Sequence, residues 1–186
     1  MDLTLYLILA HFLADYPLQT NRLAIYKKNH VMGIVLHSFT HFAVSALVLL
    51  PFLYETKIWW GILIIFVTHN LFDQIKVTLG KKTKWNPFLL YILDQVGHLV
   101  VIYWVSVYYL GKITPQISGI WRFLYTDRTF VSFFLVLVLV TYFYDVSRWT
   151  YLNMKTPHPY KRDYRTMARN ALIVVIAFVL YWLTRS

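Results

Sequence analysis

A chain of 186 residues suffices for one domain, yet 59% of this one is hydrophobic, 19% aromatic and only 14% charged. A soluble domain is about half apolar and about a quarter charged, so a mean hydropathy of +0.53 places much of the chain in lipid and excludes a disordered chain, a collagen or a small disulfide scaffold. Without cysteine there is no thiolate ligand, iron–sulfur cluster or cysteine nucleophile, and the net charge of +10 reads as loops facing the cytoplasm rather than as a nucleic-acid surface.

A bilayer core about 30 Å thick takes about 20 helical residues. Six apolar runs of that order predict an all-α membrane protein. The first, 2–17, carries His11 and Asp15 and ends at Pro17. It has Asp2 but no basic residue ahead of it and no small-residue cleavage pattern, so it is expected to be retained rather than removed as a signal. Gln19 and Asn21 follow, either folded back over an opening or in a plain interfacial loop. The second run, 31–54, carries His37 and His41, with Ser38 and Thr40 expected to bond back to their own helix. The third, 58–79, carries His69 and Asp73 beside Asn70 and Gln74; the fourth, 86–110, carries Asp94 and His98 beside Gln95, with Gly97 as a point of close helix approach.

The fifth run, 130–152, holds Asp145, expected to pair with Arg148 one turn on rather than to join a site. The connection 153–168, with Pro157, His158 and Pro159, is too polar to span and is expected against anionic headgroups. His30 and His158, both in polar connections, need no role. The sixth run, 169–184, reads as apolar support. Residues 1–110 are thus expected to form a four-helix core and residues 111–186 a loop with a two-helix extension.

Basic residues set the threading. Arg22, Lys27, Lys28, Lys76, Lys81, Lys82, Lys84, Arg148, Lys155, Lys161, Arg162, Arg165 and Arg169 fall in or beside the first, third and fifth connections, against Lys57, Lys112, Arg122, Arg128 and Arg185 elsewhere. Lys and Arg stay on the cytoplasmic side, so both termini are expected outside.

The chemistry lies in four pairs spaced i, i+4: His11 with Asp15, His37 with His41, His69 with Asp73, and Asp94 with His98. That spacing places both side chains on one helix face. Ionisable groups at membrane depth are costly and face partners in the bundle interior. The threading puts all four pairs in the cytoplasmic half of the bilayer, where they can meet. His11 and Asp15 recur 58 residues on as His69 and Asp73, and His37 and His41 recur 57 residues on as Asp94 and His98. Two similar hairpins related by an axis along the membrane normal are expected, with the site between them.

A lone intramembrane histidine is more often a hydrogen-bonded core residue. Four aligned pairs point instead to a metal site, with a His–Asp hydrogen-bond network or a proton path as alternatives. Imidazole and carboxylate suit zinc, one or two ions, with iron or manganese open; haem is poorly served by so many carboxylates. Asn70, Gln74 and Gln95 are candidates to orient the ligands.

The elements HFLADYPLQTN, LHSFTHF, THNLFDQ and LDQVGHL resemble a bacterial family of small integral-membrane proteins of unknown function, over about the first 110 residues. That resemblance implies a bacterial inner-membrane protein. A more distant similarity is to the LexA-regulated membrane-bound metal-dependent hydrolases, on Phe39-Thr40-His41-Phe42 and His69 to Asp73, although Phe42 stands where those have serine and the histidine-arginine usually preceding that element is absent. It implies metal-dependent hydrolysis; in such an intramembrane hydrolase Asp15 or Asp94 would serve as general base, and a site in the cytoplasmic half reached laterally favours a lipid, a lipid-linked molecule or a membrane-adjacent peptide. A divalent-cation transporter or channel is the alternative, since His69-Asn70-Leu71-Phe72-Asp73 resembles the HNxxD element of ZIP zinc transporters, without their HExxH. A di-iron oxidase, prompted by the HxxxH of the second run, lacks the HxxHH clusters of desaturases, and a purely structural metal site is the fourth reading.

Overall fold

The computed structural model describes residues 2–113, 124–125, 127–154 and 159–185. The expected features at Arg122, Lys155, Pro157 and His158 lie outside them. The described residues form helices α1 (Thr4–Asp15), α2 (Asn21–Asn29), α3 (Val31–Val48), α4 (Thr56–Lys82), α5 (Pro87–Leu110), α6 (Arg128–Asn153) and α7 (Tyr164–Arg185), with no strand among them. Helices suit a membrane because each satisfies its own backbone. α3 to α7 are long and apolar enough to cross one, so the chain is an integral membrane protein.

Local chemistry sets the helix starts. Asn86 caps α5 by accepting from the Phe88 and Leu89 amides at 2.8 and 3.2 Å, with Pro87 at the first position. Asp127 caps α6 by accepting from the Thr129 amide at 2.8 Å. Thr20 caps α2, whose last turn carries Lys27 and Lys28 where the helix dipole favours cations. α5 ends in a π-helical turn at Val105–Leu110, and α6 has another at Leu139–Phe143. Asn170 of α7 donates to the Val140 carbonyl inside the second at 2.8 Å.

The first expected span is the exception. α1 has 12 residues, about 18 Å at helical rise and shorter than the hydrocarbon layer. It does not need lipid contact: Leu3, Tyr6, Leu7, Ala10, His11, Phe12, Ala14 and Asp15 are all buried, as befits a helix apolar nearly all round. α3, α5 and α6 enclose it.

Contacts at its two ends define the two ends of the bundle. At one, the Thr4 hydroxyl meets Ser106 at 2.8 Å, Tyr6 donates to the Tyr125 carbonyl at 3.2 Å, and the Tyr125 hydroxyl donates to the Val48 carbonyl. At the other, Tyr16 meets Tyr91 at 2.8 Å, Tyr91 meets Ser147 at 2.9 Å, and Arg162 donates to the Tyr16 carbonyl at 3.1 Å. The starts of α5 and α7 and the end of α6 therefore share one end with the carboxy-terminal end of α1. α7 leans on α6, through Phe178 against Phe133 at 4.3 Å between ring centroids. Its Leu172, Ile176 and Leu180 are exposed, the apolar surface that a spanning helix offers to acyl chains.

α2 folds back beneath α3, and Gly33 permits it: a Cβ there would lie 2.5 Å from the Lys27 amide nitrogen and 2.6 Å from the Tyr26 carbonyl carbon. Gly97, expected to be the close approach, is not one. A Cβ at Gly97 would sit at an ordinary 3.5 Å from the Phe72 ring, because that ring fills the space.

Candidate metal centre

α1, α3, α4 and α5 deliver all eight predicted residues to one place, each 8% exposed or less. The i, i+4 spacing accounts for the pairs within a helix; His11 Nε2 is 3.5 Å from Asp15 Oδ2, His69 Nε2 3.7 Å from Asp73 Oδ2, and His98 Nε2 3.3 Å from Asp94 Oδ1. Contacts between helices then tie the pairs together. Asp15 Oδ1 faces both His37 Nε2 and His41 Nε2 at 3.0 Å, and its Oδ2 accepts from Gln95 Nε2 at 3.0 Å. Asp73 Oδ2 lies 3.6 Å from His37 Nε2.

The donor atoms gather into two groups that share His69. One is Asp15, His37, His41 and His69; the other is His69, Asp73 and His98, with the donor atoms of each group within 4.8 Å of one another. His11 and Asp94 fall outside both and border them. The His69 ring lies between those of His41 and His98, at centroid separations of 3.7 and 4.0 Å. His69 is 2% exposed, and neither of its ring nitrogens has a hydrogen-bond partner among the described residues. A buried polar atom without a partner costs about 1 to 3 kcal/mol, which a metal ligand does not incur. Imidazole nitrogen and carboxylate oxygen are the donor set of zinc and of other first-row divalent ions, so these residues fit such an ion.

The surrounding polar groups sort out as follows. Gln95 bridges Asp15, His11 at 3.4 Å and Asp94 at 3.4 Å, so it orients three of the eight. Ser38 and Thr40 bond back to the Ile34 and Leu36 carbonyls as expected. Asn70 donates to Ser38 at 3.4 Å and accepts from Gln74 at 3.0 Å, one step removed from the cluster. Gln19 donates to the Asp15 carbonyl at 2.8 Å, covering the end of α1.

Two lysines belong to the site that the sequence assigned only to loop charge. Lys27 Nζ approaches Asp73 Oδ2 at 3.1 Å, and Lys76 Nζ approaches Asp94 Oδ2 at 2.6 Å. Lys76 was legible, since it follows Asp73 by one helical turn; Lys27 was not, because its reach depends on α2 folding back.

The expected pair of Asp145 with Arg148 does not form. Asp145 accepts instead from the Tyr160 hydroxyl at 2.7 Å and the Asp163 amide at 3.3 Å, while Arg148 pairs with Asp163 at 3.4 Å. The segment 159–163 crosses this end of α6 and supplies nearer donors than the turn below. Burial, and then the Asp145 carboxylate it serves, push the Tyr160 hydroxyl pKa above its ordinary value.

A family model described as a protein of unknown function (DUF3307) matches residues 3–124. That stretch contains every residue of the two donor groups, together with His11, Asp94, Lys27 and Lys76. No curated protein and no solved structure matches the chain.

Proposed function

Because the chain belongs to the DUF3307 family, of unknown function, the site has to supply the reading, and we propose an intramembrane metal-dependent hydrolase acting on a lipid, lipid-linked or membrane-adjacent substrate. The observation that carries it is His69, buried with both ring nitrogens unpartnered among the described residues, where the two donor groups meet. Asp15, His37, His41 and His69 would hold one ion; four protein donors is the usual zinc number. His69, Asp73 and His98 are the other set, and three protein donors is what a catalytic zinc keeps; a neutral imidazole has one free lone pair, so His69 completes one set at a time. Iron or manganese suits the same donors. A divalent ion in such a site supplies a water of lowered pKa and polarises the oxygen of the bond to be cleaved.

The chain's own residues divide the remaining work. Asp15 belongs to the first donor group and its Oδ2 accepts from Gln95, so it is assigned as a ligand rather than a base. Asp94 has one oxygen held by Lys76 and the other, Oδ1, buried 3.3 Å from His98 Nε2 without a hydrogen bond among the described residues. Asp94 Oδ1 takes the proton of the attacking water. The water oxygen forms the new bond to the carbonyl carbon or phosphorus, the bond to the leaving oxygen breaks, and Asp94 returns the proton to that oxygen.

With zinc-loaded protein in proteoliposomes, hydrolysis of a nitrophenyl phosphate or acyl ester is expected, abolished by a chelator. Asp94→Asn should lower kcat by about 10²- to 10⁴-fold with metal content unchanged. Zinc flux across the liposome without hydrolysis would favour the transporter reading instead.

The end of the bundle bearing Tyr16, Lys82 and Arg162 is proposed to face the cytoplasm of a bacterial inner membrane, both termini lying outside, because the basic residues concentrate there. The chain lacks cysteine, so Lys82→Cys and Lys161→Cys give clean probes. Both should react with an impermeant maleimide only from the cytoplasmic side, and external labelling of either reverses the orientation.

A further inference from the structure

Lys27 and Lys76 enter the cluster from different helices and reach neighbouring carboxylates. Lys76 Nζ lies 2.6 Å from Asp94 Oδ2 and 4.0 Å from Asp73 Oδ1, while Lys27 Nζ lies 3.1 Å from Asp73 Oδ2. Lysine, Asp73, lysine and Asp94 thus alternate along one side of the centre. The Lys27 side chain is 11% exposed and that of Lys76 27%, so neither has escaped to water as a lysine near a helix end ordinarily does. Lys28, next along α2, is near enough to feel both ammonium groups.

Charge balance gives these lysines a purpose. With neutral imidazoles, Asp15, Asp73 and Asp94 against Lys27 and Lys76 leave a single net negative charge. One divalent ion turns that into a single positive charge. Uncompensated charge away from water is costly, so the loaded centre calls for an anion. A carboxylic ester or a peptide bond brings none; a phosphoryl group brings one or two negative charges and oxygens that accept from ammonium donors.

We infer that the centre is built for a phosphoryl anion, with Lys27 and Lys76 as its ammonium donors once their carboxylates are shared with metal. This rests on the metal-dependent reading above. The chemistry is common to a phospholipid headgroup and to a soluble phosphate ester.

The test uses full-length protein in neutral-lipid nanodiscs, loaded with zinc and freed of excess metal, titrated with inorganic phosphate in a calorimeter. Wild type should bind about one phosphate per chain. Lys27→Met should weaken binding by about tenfold or more without loss of zinc, and Lys27→Arg should restore it. Phosphatidate in the nanodisc that competes with inorganic phosphate identifies a headgroup as the source; an unaltered titration identifies a soluble phosphate. Zinc-loaded wild type that binds no phosphate, or Lys27→Met that binds it equally, overturns the inference and leaves the metal centre standing. Wild type without stoichiometric metal overturns the centre, and the inference with it.

Discussion

Replacing His69 with alanine is expected to strip the purified protein of its metal. Elemental analysis of wild type in detergent should return one to two transition-metal ions per chain, zinc foremost, and His69→Ala should lose metal because each donor group draws on this one ring. The loss in affinity should exceed about a hundredfold, the upper range for residues that merely orient a ligand. His11→Ala supplies the contrast. His11 lies outside both groups but 3.5 Å from Asp15, so its loss should weaken retention by about 10- to 100-fold. His30, exposed at the junction of α2 and α3, should be replaceable without effect. A wild type free of metal under metal-replete conditions would mean that the cluster is a hydrogen-bonded network holding the bundle.

Asp15→Ala is expected to give the largest loss of stability in the protein. Its carboxylate accepts from Gln95 and faces His37 and His41, three contacts at 3.0 Å linking α1, α3 and α5. Removing one partner from a buried charged network costs about 3 to 5 kcal/mol, and here the groups left behind have no water to turn to. Thermal denaturation in detergent should show a large fall in Tm for Asp15→Ala. Asp15→Asn should fall less, since it keeps the shape and one acceptor oxygen but turns a donor toward groups that need an acceptor. A Tm unchanged in both would refute the central position given to Asp15. Running both variants with and without zinc separates the network's own contribution from that of the ion, because a ligand bound only to the folded state adds stability with concentration.

Most of the architecture was legible in the residues themselves. The apolar runs marked the five long helices, Asn86-Pro87 marked the start of α5, and the i, i+4 pairs marked one face of each of four helices. What the runs concealed was the shortness of α1. Hydropathy does not distinguish lipid from protein as the apolar surroundings, and α1 is enclosed by its neighbours rather than by acyl chains. Arg148 illustrates a different blindness: sequence spacing favours the partner one turn away, while the chain brings Tyr160 and Asp163 across α6 from within the next connection.

The sequence by itself determined that the chain crosses a membrane as helices and that eight imidazoles and carboxylates share a depth within it. Both follow from periodicity and transfer free energy, which act locally along the chain. Only the tertiary structure decided that His69 is common to two donor groups, that Asp94 stands beside them with a lysine on one oxygen, and that Lys27 reaches in from a helix folded back over Gly33. Those facts depend on how separate helices meet, and the distances between side chains on different helices are not written in the spacing of either.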